Sequence, residues 1–277
     1  MLDPHNELLQ DFIQELKEYK SPQTARNYHY ILLRFGEYIN ELGVHYGNFG
    51  RIHLQHYINS LTTSGKSAST VNTEFNAIKT MLRYQKRTEV AQDIRVVKPP
   101  STKNIAPKSL RPIEQRKLFH DIEKDTLRNQ AIVLTLIGTG VRVEELTNID
   151  RSDVIILDDE GELIVRHGKG NKERTLPINK MVRDILTEYL CTRKDKNPAL
   201  FIGRYNRRLG VRGVQYVLKS YGLHPHRLRH TYITNLVRNN DLVIAQALSG
   251  HSSVEMLSRY AKPSKEDLQQ AVEHLYQ

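Results

Sequence analysis

The feature that most constrains this chain is the spacing of its apolar residues up to about residue 90. Leu8, Leu9, Phe12, Ile13 and Leu16 recur at helical intervals, and such a stripe is buried only when the segment is a helix packed on a neighbour. The spacing predicts a first helix over roughly His5–Tyr19. Ser21-Pro22 then supplies an N-cap and a proline for the first helical position, a strong start signal. Tyr28, Ile31, Leu32, Phe35, Ile39 and Leu42 form the stripe of the second helix, which ends at Gly43. A third helix is predicted over about Arg51–Leu61. A fourth runs over Ser67–Arg87, with Val71, Phe75, Ile78, Met81, Leu82 and Tyr84 on its apolar side. Four helices with short connections make a small bundle.

The texture then changes. VVKPPSTKNIAPK, inside Ile94–Ser109, has three prolines and no helical period, and reads as an extended basic linker. Beyond it, helices are predicted near Pro112–Lys124, over Leu127–Gly138 and from about Arg142. Val154–Leu157 and Leu163–Val165 flank the turn Asp158-Asp159-Glu160-Gly161, and a third strand, Glu173–Pro177, follows Gly168-Lys169-Gly170-Asn171. The remainder reads as helices broken at Gly203, Gly210, Gly222, Gly250 and Pro263. The expected fold is mainly α with a small antiparallel β-sheet: a helical domain over 1–93, a linker over 94–109, and a mixed α+β domain over 110–277. Ser264 with Asp267 resembles a capping box, so a tail helix is expected from about 264.

Charge narrows the function. Lys and Arg number 41 against 31 Asp and Glu, and the pI is about 9.5. Spread along folded segments, such an excess suits a polyanion, nucleic acid above all; the alternative is a solvated basic surface with no specific partner. A single cysteine, Cys191, excludes a disulfide framework and fits a reducing compartment. No apolar run approaches the roughly 20 residues of a membrane span, and MLDPHNELLQ lacks the pattern of a signal peptide. A cytoplasmic protein without a membrane partner is expected.

Several short segments carry chemistry. Pro225 opens a helix that places His226 and Arg229 on one face, and a histidine and a guanidinium at a helix N-terminus make an anion cradle. His226 and His230 have the spacing of the zinc motif H-E-x-x-H, but Arg227 stands where its glutamate belongs, so no metal is expected. In Gly138-Thr139-Gly140-Val141-Arg142, an apolar helix stops at glycines and Arg142 starts the next helix, with Glu145 placed to orient it. Lys169 sits at a hairpin tip. Tyr260 follows Leu248-Ser249-Gly250-His251-Ser252-Ser253, whose serines can cap a short helix that delivers it. Taken singly, each has an ordinary alternative: an exposed basic turn, a surface ion pair, a solvated lysine, a packing tyrosine.

In combination they resemble the tyrosine recombinase (phage integrase) family. The motifs T-G-x-R-x-x-E-L, G-K-G-x-K-x-R-x-x-P, H-x-L-R-H-T, G-H-S and R-Y occur in order. The chain departs from the pattern at Ser249, where leucine is usual. The resemblance spans nearly the whole chain, with a weaker match over the Thr24–Phe35 and Ser69–Tyr84 helices. It implies a simple two-domain Xer-like or transposon type, closing on duplex DNA as a C-shaped clamp. Tyr260 would be the nucleophile that joins the 3′ phosphate. Arg142 and Arg229 would clamp the phosphate, Lys169 would protonate the leaving 5′ oxygen, His226 would help accept the tyrosine proton, and His251 would hydrogen-bond the phosphate. Glu145 and His230 would support them, His230 by helix packing. No cofactor is implied. The resemblance also implies a tetramer on two DNA sites, with residues 264–277 docking on a neighbouring protomer. The rivals are an inactive DNA-binding regulator of the same fold and a type IB topoisomerase.

Overall fold

The computed structural model describes residues 4–99, 107–166, 173–250, 253–263, 268–269 and 272–273. The chain divides into two units, Met1–Thr102 and Lys103–Gln277. In the first, α1 (Pro4–Tyr19), α2 (Pro22–Glu41), α3 (Arg51–Thr63) and α4 (Ala68–Tyr84) turn their stripes onto one core of Phe12, Leu32, Phe35, Phe49, Leu54, Ile78 and Met81. Ser21 and Ser67 cap α2 and α4 by accepting from the amides of Thr24 and Thr70, each at 3.2 Å. Glu74 is a buried acid on α4, and it is satisfied: Arg34 of α2 donates at 2.9 Å and Tyr57 of α3 at 2.6 Å. One carboxylate therefore ties three helices, which removes the cost of burying it. A 3₁₀ turn, Thr88–Ala91, closes the unit.

Residues 94–97, in the proline-rich segment, lie against this unit. The Gln55 amide pairs with both backbone groups of Arg95, at 2.8 and 3.1 Å, and Asn72 donates to the Val97 carbonyl at 2.8 Å. Ile94 and Val96 pack on the core.

The second unit holds α5 (Pro112–Ile122), α6 (Leu127–Thr139), α7 (Val143–Asn148), strands β1 (Val154–Ile156), β2 (Gly161–Val165) and β3 (Arg174–Pro177), α8 (Lys180–Thr192), α9 (Val211–Lys219), α10 (Pro225–Asn239) and α11 (Leu242–Ser249). Helix α6 is apolar on nearly every side, and Ala131, Ile132, Val133 and Leu136 are sealed. Such a helix is stable only at the centre of a domain, and α6 lies there, against α8 and α10. The sheet is antiparallel in the order β1-β2-β3, with Leu163 opposite Val154 on one side and Leu176 on the other. Gly161, Leu163 and Val165 face the core at every second position.

Two expectations change. The segment that delivers Tyr260 is a 3₁₀ turn, Val254–Met256, followed by turns, in place of an α-helix. Ser253 makes no side-chain cap there. Leu257 and Tyr260 are both buried in a small cluster with Ile233 and Ala245, and a three-residue interval is the repeat of 3₁₀ geometry. In the tail, Ser264–Asp267, Ala271 and Leu275 lie outside the described residues. Residues 268, 269, 272 and 273 are helical, with Leu268 and Val272 exposed.

Candidate active site

The site begins where α6 stops. Gly140 takes φ of +61°, a left-handed conformation that costs a side-chain-bearing residue dearly. A β-carbon there would also collide with the Tyr232 ring. This turn makes Arg142 the N-cap of α7. Glu145, one turn on, accepts the Arg142 amide at 2.8 Å through Oε2 and its Nη1 at 2.9 Å through Oε1. Arg174, at the start of β3, donates Nη1 to Oε1 at 3.1 Å and Nη2 to Oε2 at 2.7 Å. The Glu145 side chain is only 3% exposed, so this is no surface ion pair. Burial pushes its carboxyl up, but the bonds from Arg174 and the Arg142 amide and the two guanidinium charges prevail, and hold it at about 2.

Arg229 comes from the second turn of α10. It is buried, and its Nη1 donates to the Gly140 carbonyl and its Nη2 to that of Ser249 at 2.7 Å. Burial and the nearby charge of Arg142 lower its pKa to about 10, so it stays charged at neutral pH. Among the described residues no carboxylate pairs with it. A buried guanidinium braced by neutral carbonyls keeps its charge for an anion. Ser249 contributes its backbone, which is why a small polar residue can replace leucine there without loss of this contact.

Tyr260 is buried, with Oη 2.9 Å from His230 Nδ1 and ring centroids 5.7 Å apart. Burial raises the phenol's pKa, while the charges of Arg229, Arg259 and Arg142 pull it back. His230 is held at about 4 by burial, then by His226, Arg259 and Arg229; at neutral pH it is uncharged and can accept the phenol proton. Packing alone was the sequence expectation for His230. His226 lies a turn earlier, exposed, its ring centroid 6.5 Å from that of His230. Arg227 turns away to pair with Glu114 of α5 at 2.8 Å. Among the described residues no group of three potential ligands could hold a metal, and no helix is long and apolar enough to cross a membrane.

The fold thus joins Arg142 to Glu145, Arg229 to the turn before Arg142, and Tyr260 to His230. Lys169 and His251 lie outside the described residues. Sequence reasoning passed over Arg174, although it stands inside a quoted motif. It also gave His230 no contact with the phenol; its position four residues after His226, on the same face of α10, was the available signal.

The phage integrase family matches residues 108–267, and the N-terminal SAM-like domain of phage integrases matches residues 8–92. The chain is 36% identical to tyrosine recombinase XerA of Pyrococcus furiosus, over 97% of this chain and 93% of the relative. It is 29% identical to tyrosine recombinase XerC of Staphylococcus carnosus, over 95% of each. The fold resembles XerH site-specific recombinase bound to difH substrate, with TM-score 0.70 and 22% identity over 97% of this chain and 84% of that one. It also resembles a lambda integrase (75–356) dimer bound to a COC′ core site, with TM-score 0.71 and 18% identity over 93% and 95%. A buried phosphate-ready arginine beside a shielded tyrosine, in a chain matched across both units, leaves one assignment: this protein belongs to the phage integrase family and is a tyrosine recombinase of the Xer-like type.

Proposed function

We propose that this chain is a site-specific recombinase that cleaves and rejoins duplex DNA through a 3′-phosphotyrosine at Tyr260. The observation that carries the reading is Arg229: a buried cation with no carboxylate partner among the described residues, set against the turn of Arg142 and close enough to Tyr260 to act on its ionisation.

The chemistry follows from the groups. A phenol ionises near pH 10, so the free phenolate costs about 4 kcal/mol at pH 7, and its proton has to leave during attack. Neutral His230, or His226 behind it, accepts that proton. Tyr260 Oη bonds to phosphorus while the bond to the 5′ oxygen breaks, and Lys169 gives the departing oxygen its proton. Arg142 and Arg229 bind the two non-bridging oxygens and stabilise the charge that builds on them; His251 adds a hydrogen bond. The phosphodiester energy is stored in the tyrosyl ester, and a 5′ hydroxyl attacks it to rejoin the strand. Duplex DNA is the partner, and the net charge of +10 suits its phosphates. Residues 1–93 and 110–277 act as the two DNA-binding domains, joined by 94–109. The working unit is a tetramer on two sites, with residues 264–277 docked in trans.

The test is covalent capture. A core site is selected from a randomised duplex pool by the wild-type chain, then nicked near the scissile phosphate so that the short strand diffuses away. Tyr260→Phe binds this duplex as the wild type does and forms no adduct. Labelled phosphate on any residue other than Tyr260 overturns the assignment.

A further inference from the structure

Arg174 stands where three stretches of chain meet. It opens β3, five residues beyond Lys169. Its guanidinium donates to both oxygens of Glu145, which also receive Arg142, Oε1 its Nη1 and Oε2 its amide. It lies across the α-carbon of Gly250, the residue before His251: a β-carbon there would sit 3.2 Å from its Nε and 3.5 Å from its Cδ and Cζ. Gly250 closes α11 with φ of +65°, and the carbonyl just before it holds Arg229.

Charge gives this arrangement a purpose. A lone Glu145 beside Arg142 would neutralise the cation that a phosphate needs. Arg174 occupies the carboxylate with two parallel bonds, the strongest geometry available to such a pair. Two guanidiniums on one carboxylate leave a net positive charge, so Glu145 can orient Arg142 without cancelling it. The flat face that Gly250 leaves bare lets the same side chain set the spacing between β3 and the end of α11.

We propose that Arg174 is a positioning residue of the phosphate site, which fixes Arg142 through Glu145. The proposal rests on the recombinase reading above. It requires Arg174 to act on the rate of cleavage at the phosphate beyond any effect on duplex affinity or folding.

The test uses the full chain and the selected, nicked duplex. Arg174→Lys keeps the charge and cannot present two coplanar donors; Arg174→Met keeps the length and loses the charge. Single-turnover cleavage at saturating protein falls by on the order of tenfold to a hundredfold in both, the scale of a misplaced catalytic group, while the dissociation constant stays close to wild type; Arg174→Met, which leaves buried Glu145 short of a partner, melts lower than Arg174→Lys. Combined with Glu145→Gln, neither loses more than the worse single variant, because both residues act through Arg142. Should Arg174→Met fail to fold, Arg174→Lys carries the test. Wild-type cleavage by Arg174→Lys, a rate that merely follows melting temperature, or losses that add to those of Glu145→Gln would each overturn the proposal. A wild-type chain that captures no selected duplex sinks the recombinase reading, and this proposal with it.

Discussion

His230 shows how one side chain reports its surroundings. Its unfolded pKa is near 6.5 and its folded value is about 4. Between those values the unfolded chain binds a proton that the folded chain refuses, so stability falls as pH drops from about 6.5 to about 4. Lower still, Glu145 takes over. Its folded pKa of about 2 lies below the unfolded value, and its stabilising effect, full above about pH 4.3, is lost as pH falls towards 2. Replacing His230 by Asn keeps an acceptor near Nδ1 and removes the titration. Urea unfolding of His230→Asn between pH 4.5 and 7 is expected to show a shallower slope than the wild type; an identical slope would place the titrating group elsewhere.

At the scale of elements, α6 does two jobs. It fills the centre of its unit, and its C-cap residue, Gly140, supplies the carbonyl that holds Arg229. Gly140→Ala is therefore costly twice over: once for the left-handed backbone, about 1–2 kcal/mol, and again for pushing the Tyr232 ring aside. Gly222 provides the comparison, with φ of +66° and open space where a β-carbon would go. Thermal or urea unfolding is expected to show Gly140→Ala losing at least about 1 kcal/mol more than Gly222→Ala, the low end of an overpacking penalty. Equal losses would mean that Tyr232 yields freely and that the turn is set by backbone alone.

The whole molecule raises the question of what the tail covers. Leu268 and Val272 are apolar, helical and exposed, and a short helix of this kind is marginal until its face is buried. Docking in trans would tie cutting to assembly. Removing residues 265–277 is expected to leave affinity for a single selected site nearly unchanged, weaken cooperative binding to a two-site duplex, and abolish strand exchange. Gel-shift titration on one-site and two-site duplexes measures the first two. Unaltered cooperativity in a folded truncation would refute docking in trans.

The sequence by itself determined what depends on near neighbours. Helical stripes placed α1 to α4, Ser21-Pro22 set the start of α2, and the Asp-Asp-Glu-Gly turn announced the β1–β2 hairpin, because periodicity, capping and turn chemistry act over a few residues. The ordered motifs likewise named Arg142, Arg229 and Tyr260. Only the tertiary structure decided their partners. Arg229 finds carbonyls 89 and 20 residues away, Tyr260 meets a histidine 30 residues back, and Arg174 reaches Glu145 across 29. The 3₁₀ form of Val254–Met256 was decided the same way, by where Leu257 and Tyr260 could both be buried. Such pairings are chosen by which surfaces the core brings together, and no local pattern of residues records that choice.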